Sequence, residues 1–285
     1  MPIREKGYYN WEGELKTAQI KWLPIFLNGI KGVYKKRFAK LLFSSCTVYS
    51  IIFLLLIYLA VKLDMPAAKL PPMVKEVMDS SNLFFHFYTF GFIQIFFMMI
   101  LSLFTGTDLI SGDLKLKSLS LYFSRPISHF DYLKGKFFIV LFYLLTFTLV
   151  PAVLLIIFKM IFTGGFTVPL KVILGVMIYP VVVYMFMASL IILISSISPN
   201  RKFVVILFII FNLMSVTVAE ILHGIFREDG FLFISIWRNM LQFGQFLFGR
   251  TAGFYSNGMI SGCILVGLFF LFSILVTNRI KKVEV

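Results

Sequence analysis

The chain has 285 residues, 59% of them hydrophobic and 14% charged, with a mean hydropathy of +0.92. A soluble domain carries about 25% charged residues because its surface must be wetted, so this composition excludes a water-soluble globular fold. The net charge of +14 would suit nucleic acid only as a basic face on a soluble protein; lying between long apolar runs, it signals membrane topology and no nucleic-acid partner.

Residues 1–40 form the N-terminal segment. They lack an apolar stretch followed by a small-residue cleavage site, so no cleavable leader is expected. Within them, 22–40 predicts an amphipathic helix. Trp22, Phe26, Ile30 and Tyr34 share one arc with Leu23, Leu27 and Val33, while Lys21, Lys31, Lys35 and Lys36 take the other side. Pro24 suits a first turn. Such a helix lies in the headgroup layer with its lysines toward anionic lipid; a charged flank that merely fixes topology is the plainer alternative.

Six runs follow that are long enough to cross a bilayer: 41–61, 84–104, 137–158, 172–194, 203–222 and 259–277. They are apolar all round, without the alternation of barrel strands. The expected fold is therefore an all-α integral membrane protein with six transmembrane helices. Nineteen of the 27 Lys and Arg fall on the side shared by segment 1–40, loop 105–136, loop 195–202 and tail 278–285; eight fall opposite. Positive charge stays inside, which predicts cytoplasmic N- and C-termini in a cell membrane. Pro151 and Pro180 lie within the third and fourth runs and predict kinks. Gly258-x-x-x-Gly262 offers a small-residue face for close packing, within the subunit or at a dimer seam. Cys46 and Cys263 are too few for a disulfide framework or a zinc site.

The loop between the second and third runs carries the most information. Ser128-x-x-Asp131 is a capping box, with Ile127 and Tyr132 placed as a hydrophobic staple, so a helix should start near His129. Ahead of it, Arg125-Pro126 breaks the chain. Segment 113–123 mixes leucines and aromatics with Lys115 and Lys117; its alternation at 119, 121 and 123 leaves helix and strand both open. Bare leucines on a water-facing loop imply contact with the membrane surface or with another protein.

The run Leu121-Tyr-Phe-Ser-Arg-Pro-Ile-Ser-His-Phe-Asp-Tyr-Leu-Lys-Gly-Lys136 resembles the cytoplasmic loop of ABC-2 type transporter permeases. In that family an acidic residue and a leucine-rich stretch precede Ser-Arg-Pro, a hydroxyl residue, an aromatic-leucine pair and Gly-Lys. His129 departs from the pattern, where relatives often carry arginine. The layout is similar too: a surface helix, six spans, a short loop at 198–202 and a long segment before the sixth span. The resemblance implies that 113–123 is a coupling helix seated in a groove of a separate ABC ATP-binding subunit. Its contact residues would be Asp113, Leu116, Leu119, Tyr122, Arg125 and Pro126. It also implies that ATP and Mg²⁺ are bound by that partner, with this chain paired as a homodimer or with a related permease, more as an exporter than an importer, in a prokaryotic cytoplasmic membrane.

Segment 223–257 includes 231–237 and 241–248, too short to span and too apolar for a free loop, so short re-entrant or interfacial helices are expected. Glu220 is the only acid within the six runs. With Gln94 and Asn212 it marks a candidate translocation path, and a hydrated capping role serves it equally well. No phosphate-binding Gly-x-x-x-x-Gly-Lys-[Ser/Thr], His-Glu-x-x-His or Gly-x-Ser-x-Gly is present. No catalytic, cofactor-binding or metal-binding residue is therefore assigned, and Asp108 and Asp113 make a poor Mg²⁺ pair without supporting acids. The reading is a transport subunit rather than an enzyme; an ATP-independent channel or carrier is the alternative.

Overall fold

The computed structural model describes residues 20–62, 78–89, 93–124, 127–249 and 258–283, and its regular elements are all helical. Six segments among the described residues are long and apolar enough to cross a membrane. The protein is a multi-span, all-α membrane protein.

Helix α1 (Leu23–Tyr34) has Pro24 in its first turn and stops before the predicted end. The chain turns at Lys35–Lys36, and Arg37 opens α2 (Arg37–Lys62), so residues 37–40 belong to the first long helix. The second run differs more. Phe84 lies in α3 (Ser80–Thr89), residues 90–92 fall outside the described residues, and the membrane-length helix among the described residues is α4 (Ile93–Lys115). Residues 105–115, assigned to a loop by hydropathy, extend that helix. An apolar run reports burial without reporting where a helix ends, and α4 carries Asp108 and Asp113 in turns that hydropathy discounts.

A five-residue helix, α5 (Leu119–Phe123), follows, which resolves the helix-or-strand choice for those residues. Helix α6 (His129–Thr146) begins where the capping box places it, with the Ser128 hydroxyl accepting from the Asp131 N–H. The third run is two helices. After a break at Phe147–Thr148 comes α7 (Leu149–Thr163). Pro151 explains the break: it has no N–H for the Phe147 carbonyl, and its ring crowds that carbonyl. In the first turn of α7 the missing donor costs nothing.

Helix α8 (Leu170–Ser195) keeps Pro180 inside 26 residues without ending. The carbonyl freed by that proline is Val176's, and the Tyr88 hydroxyl of α3 donates to it at 2.9 Å. A neighbouring helix thus satisfies the orphaned group, as membrane prolines require. Helix α9 (Arg201–Phe226) leads to a 3₁₀ segment (Asp229–Ile234) and then α10 (Ile236–Phe248), capped by Ser235. Helix α11 (Gly258–Val283) ends the described chain.

Helix α8 is the hub, packing against α4, α6, α10 and α11. In its most apolar stretch 67% is buried, against 22% for α9; α9 therefore turns most of its surface outward. The two glycines that open α11 face α10 within the chain. A Cβ at Gly258 would come 2.6 Å from the Gln242 carbonyl oxygen, and one at Gly262 would come 2.7 Å from the Phe243 ring. The Ser261 hydroxyl donates to Gln242 Oε1 at 2.8 Å in the same crossing. Small residues here serve intrachain packing.

Candidate functional site

Two carboxylates in the last turns of α4 organise one end of the bundle. Asp108 accepts from Lys36 Nζ at 3.0 Å, in the turn between α1 and α2. The same oxygen lies 3.0 Å from Arg201 at the start of α9. One acid ties three elements together. All three side chains are partly exposed, so each pair is worth at most about 1 kcal/mol; its contribution is mainly one of position.

Asp113 lies deeper in the protein. Its Oδ2 is 2.7 Å from Lys136 Nζ and accepts from the Tyr132 hydroxyl at 2.6 Å. The Ser118 hydroxyl donates to Oδ1 at 3.3 Å. Lys136 and Asp113 are 9% and 16% exposed, and a pair so sheltered depends on added hydrogen bonds to offset desolvation. The ammonium also sits 5.6 Å and 5.4 Å from the ring centres of Tyr122 and Tyr132, within cation–π range. The end of α4, α5 and the start of α6 are thereby one bonded unit.

The turn between α4 and α5 has an unusual backbone. The Ser118 N–H donates to the Asp113 carbonyl at 3.0 Å and the Lys117 N–H to the Leu114 carbonyl at 3.2 Å. That is the double closure of a Schellman motif, whose left-handed position normally takes glycine. Here it is Lys117, with φ of 51°, a conformation the Cβ penalises.

Leu119 is buried, and Tyr122 and Phe123 lean on α6, with ring centres 5.2 Å and 5.8 Å from Tyr132. Burial first, then the Asp113 carboxylate, push the Tyr122 phenol above its ordinary value, so it stays neutral. Facing outward are Leu116, 76% exposed, and Leu121, 70% exposed, beside Lys115, Lys117, Ser120 and Ser124. Of the residues the resemblance implies as contacts, Leu116 points out, Tyr122 is half-buried, and Leu119 and Asp113 serve the fold. Arg125 and Pro126 lie outside the described residues. Leu121 is an outward residue not among the implied contacts; which of 119, 121 and 122 faces outward could not be read while helix and strand were both open.

No protein-family model matches this chain, and no curated protein does. Its function must be read from its own geometry.

At the same end, α1 docks on α6. Gly135 accepts this contact: a Cβ there would lie 3.0 Å from the Ile25 Cβ and 3.1 Å from the Trp22 carbonyl oxygen. The Tyr143 hydroxyl donates to the Ile30 carbonyl at 2.7 Å, and the Trp22 and Phe138 rings meet at a tilt, their centres 5.0 Å apart. Gly135-Lys136 therefore does two things, seating α1 and pairing Asp113. Phe26 and Ile30 are half-buried in this contact while Leu27 and Tyr34 are exposed, so α1 has a bundle face, an apolar outer face and the exposed Lys31 and Lys35. Arg279 of α11 donates to the Ser196 and Ile197 carbonyls at 2.7 and 2.8 Å, closing the end of α8.

The three path candidates do not assemble. Gln94 is buried near the start of α4, and the buried Asn212 amide donates to the Phe208 carbonyl of its own helix at 2.8 Å. Glu220 is half-exposed and accepts from Arg238 Nε and Nη2 at 2.9 and 2.6 Å, joining α9 to α10. No hydrogen bond among the described residues links Gln94 to Asn212 or Glu220. Nor do three or more His, Cys, Asp or Glu side chains converge among the described residues as a metal site would need.

Proposed function

We propose that this chain is the membrane subunit of an ATP-driven transporter of the ABC-2 type, working as an exporter with a separate ATP-binding subunit. The observation that carries the reading is the α4–α5 turn. It presents Leu116, between Lys115 and Lys117, and Leu121 at the basic end of the bundle, and Asp113 of α4 ties it to Lys136 of α6. A contact that transmits force needs both properties: an outward surface that a partner can grip, and a stiff junction to the elements that move. The strained Lys117 supports the same reading, because backbone strain is retained where an alternative would compromise function.

On this reading the basic end is cytoplasmic, the ATP and Mg²⁺ are held by the partner, and two permease chains, identical or related, complete the transporter in a prokaryotic cytoplasmic membrane. Nucleotide-driven movement of the partner displaces α5, and the shift passes through α4 and α6 to the bundle. The short helices before α11 cap the outer end.

The chain, purified gently from its native membrane, is expected to bring down a P-loop ATPase with ATP-hydrolysing activity. The Leu116→Asp and Leu121→Asp variants, whose side chains touch solvent and not the core, should lose that subunit while keeping the melting temperature of the parent. Purification of a lone chain that carries solute across liposomes without ATP would replace this reading with a channel or carrier.

A further inference from the structure

Where α4 crosses the last turn of α8, a side chain of one helix enters the backbone of the other. The Ser195 hydroxyl is fully buried. It donates to the Thr107 carbonyl at 2.9 Å and accepts from the Ile110 and Ser111 amides at 3.2 and 3.1 Å. The Thr107 carbonyl and the Ser111 amide are the two ends of one helical rung. The Ser111 hydroxyl donates to that carbonyl as well. A carbonyl has two lone pairs, and here two hydroxyls occupy them. The Ser111 amide is served by the Ser195 oxygen, and its own rung is weakened.

A side chain inserted into the helical ladder is one cause of a bend, and a Gly/Ser pair is another. Both meet here, because Gly112 follows Ser111. Gly106, one turn earlier, is accounted for by packing, since a Cβ there would come 2.6 Å from Ile191 of α8. Gly112 is not: a Cβ there would meet nothing within 4 Å among the described residues. A glycine inside a helix loosens it. The Thr107 hydroxyl is buried with no hydrogen-bond partner among the described residues, so the rung is not in its best-satisfied arrangement. The other side of the crossing is firm. Arg279 holds the Ser196 and Ile197 carbonyls just beyond Ser195.

We infer that α4 flexes between Thr107 and Gly112 about the Ser195 hydroxyl, so that segment 113–123 swings against the α8 hub. Asp108 lies beside the pivot and keeps its bonds to Lys36 and Arg201, while Asp113 carries the motion to Lys136 of α6. That an ATPase drives the swing rests on the transport reading proposed above; the flexing itself does not.

The test uses the full chain with Cys263→Ser in phosphatidylcholine nanodiscs, spin-labelled at Ser120→Cys and Phe270→Cys, with distances read by double electron–electron resonance. A second pair, at the exposed Phe96 and Phe270, reports on α4 before the pivot. Ser195→Ala returns the Thr107 carbonyl to the Ser111 amide. It should narrow the Ser120 distribution about twofold, because one of two positions is removed, and leave the Phe96 pair unchanged. Gly112→Ala stiffens the same turn without a clash and should narrow it too, which keeps the test open if Ser195→Ala fails to fold. A Ser195 that merely tied two helices together would act with the opposite sign, its loss widening the Ser120 distribution. That widening, or no change in either variant, overturns the pivot. The driver is read separately: with the copurified ATPase, ATP should shift the Ser120 distance in the parent and less in Ser195→Ala. Narrowing by both variants with no response to ATP would keep the pivot and overturn the transport reading alone.

Discussion

The Lys136 ammonium is almost enclosed at the start of α6, and the carboxylate that matches it is Asp113. Removing one partner of a buried pair strands the other charge, at about 3–5 kcal/mol in a deep interior. Asp113 keeps 16% of its side-chain surface in solvent, which places Asp113→Asn toward the lower end, about 3 kcal/mol. Thermal unfolding in detergent should show this loss, and the double variant Asp113→Leu/Lys136→Met should lose less than the single one, because neither charge is then stranded. Lys117 gives the opposite sign. Its left-handed φ of 51° suits glycine, so Lys117→Gly should raise stability by about 1 kcal/mol. Lys115→Gly, two residues earlier in the last turn of α4, should lower it by about 1 kcal/mol. If Lys117→Gly stabilises the chain yet weakens recovery of an ATPase subunit, the lysine is kept for its charge and at a cost in backbone energy.

Pro180 and Tyr88 belong together at the scale of elements. The proline leaves the Val176 carbonyl without its helical donor, and the Tyr88 hydroxyl takes that place, fastening α3 to α8. Tyr88→Phe leaves a buried acceptor unpaired, at about 1–3 kcal/mol. In a Pro180→Ala background the alanine N–H competes for the same carbonyl, so Tyr88→Phe should cost measurably less there. A four-variant unfolding cycle reads that coupling, and equal costs in the two backgrounds would sever the link. This bond also shows what sequence could and could not convey. Pro180 announced an orphaned carbonyl at Val176, but nothing in the chain pointed to a tyrosine 88 positions earlier. Pro151 was legible in the same way, and the break at Phe147–Thr148 falls where its ring excludes the preceding carbonyl. The Ser128 cap was legible because its partner lies three residues away. The continuation of α4 to Lys115 was not, since Asp108 and Asp113 interrupt the apolar run there. Gly135 and Gly258 were visible as small residues, but their partners, α1 and α10, are set by tertiary packing.

Charge at the scale of the whole molecule is strongly polarised. Asp108, Asp113 and Asp131 at the basic end are all engaged, with Lys36 and Arg201, with Lys136, and with Ser128. Lys31, Lys35, Lys40, Lys281 and Lys282 remain exposed at that end, where anionic headgroups or a partner would meet them. The outward faces of α2, α9 and α11 carry apolar side chains such as Leu55, Leu213 and Phe270, as lipid contact or a second copy would require. Orientation is therefore the property on which the transport reading depends, and two exposed positions test it. Ser120 lies on α5 and Phe166 in the turn after α7; the native Cys46 is buried, and Cys263 can be changed to Ser. Positive charge is retained on the inner side, so Ser120→Cys should react with a membrane-impermeant maleimide only in inverted vesicles. Phe166→Cys should react only in right-side-out cells. The reverse pattern would put the Leu116–Leu121 surface outside, away from any nucleotide, and no ATPase could then act on it.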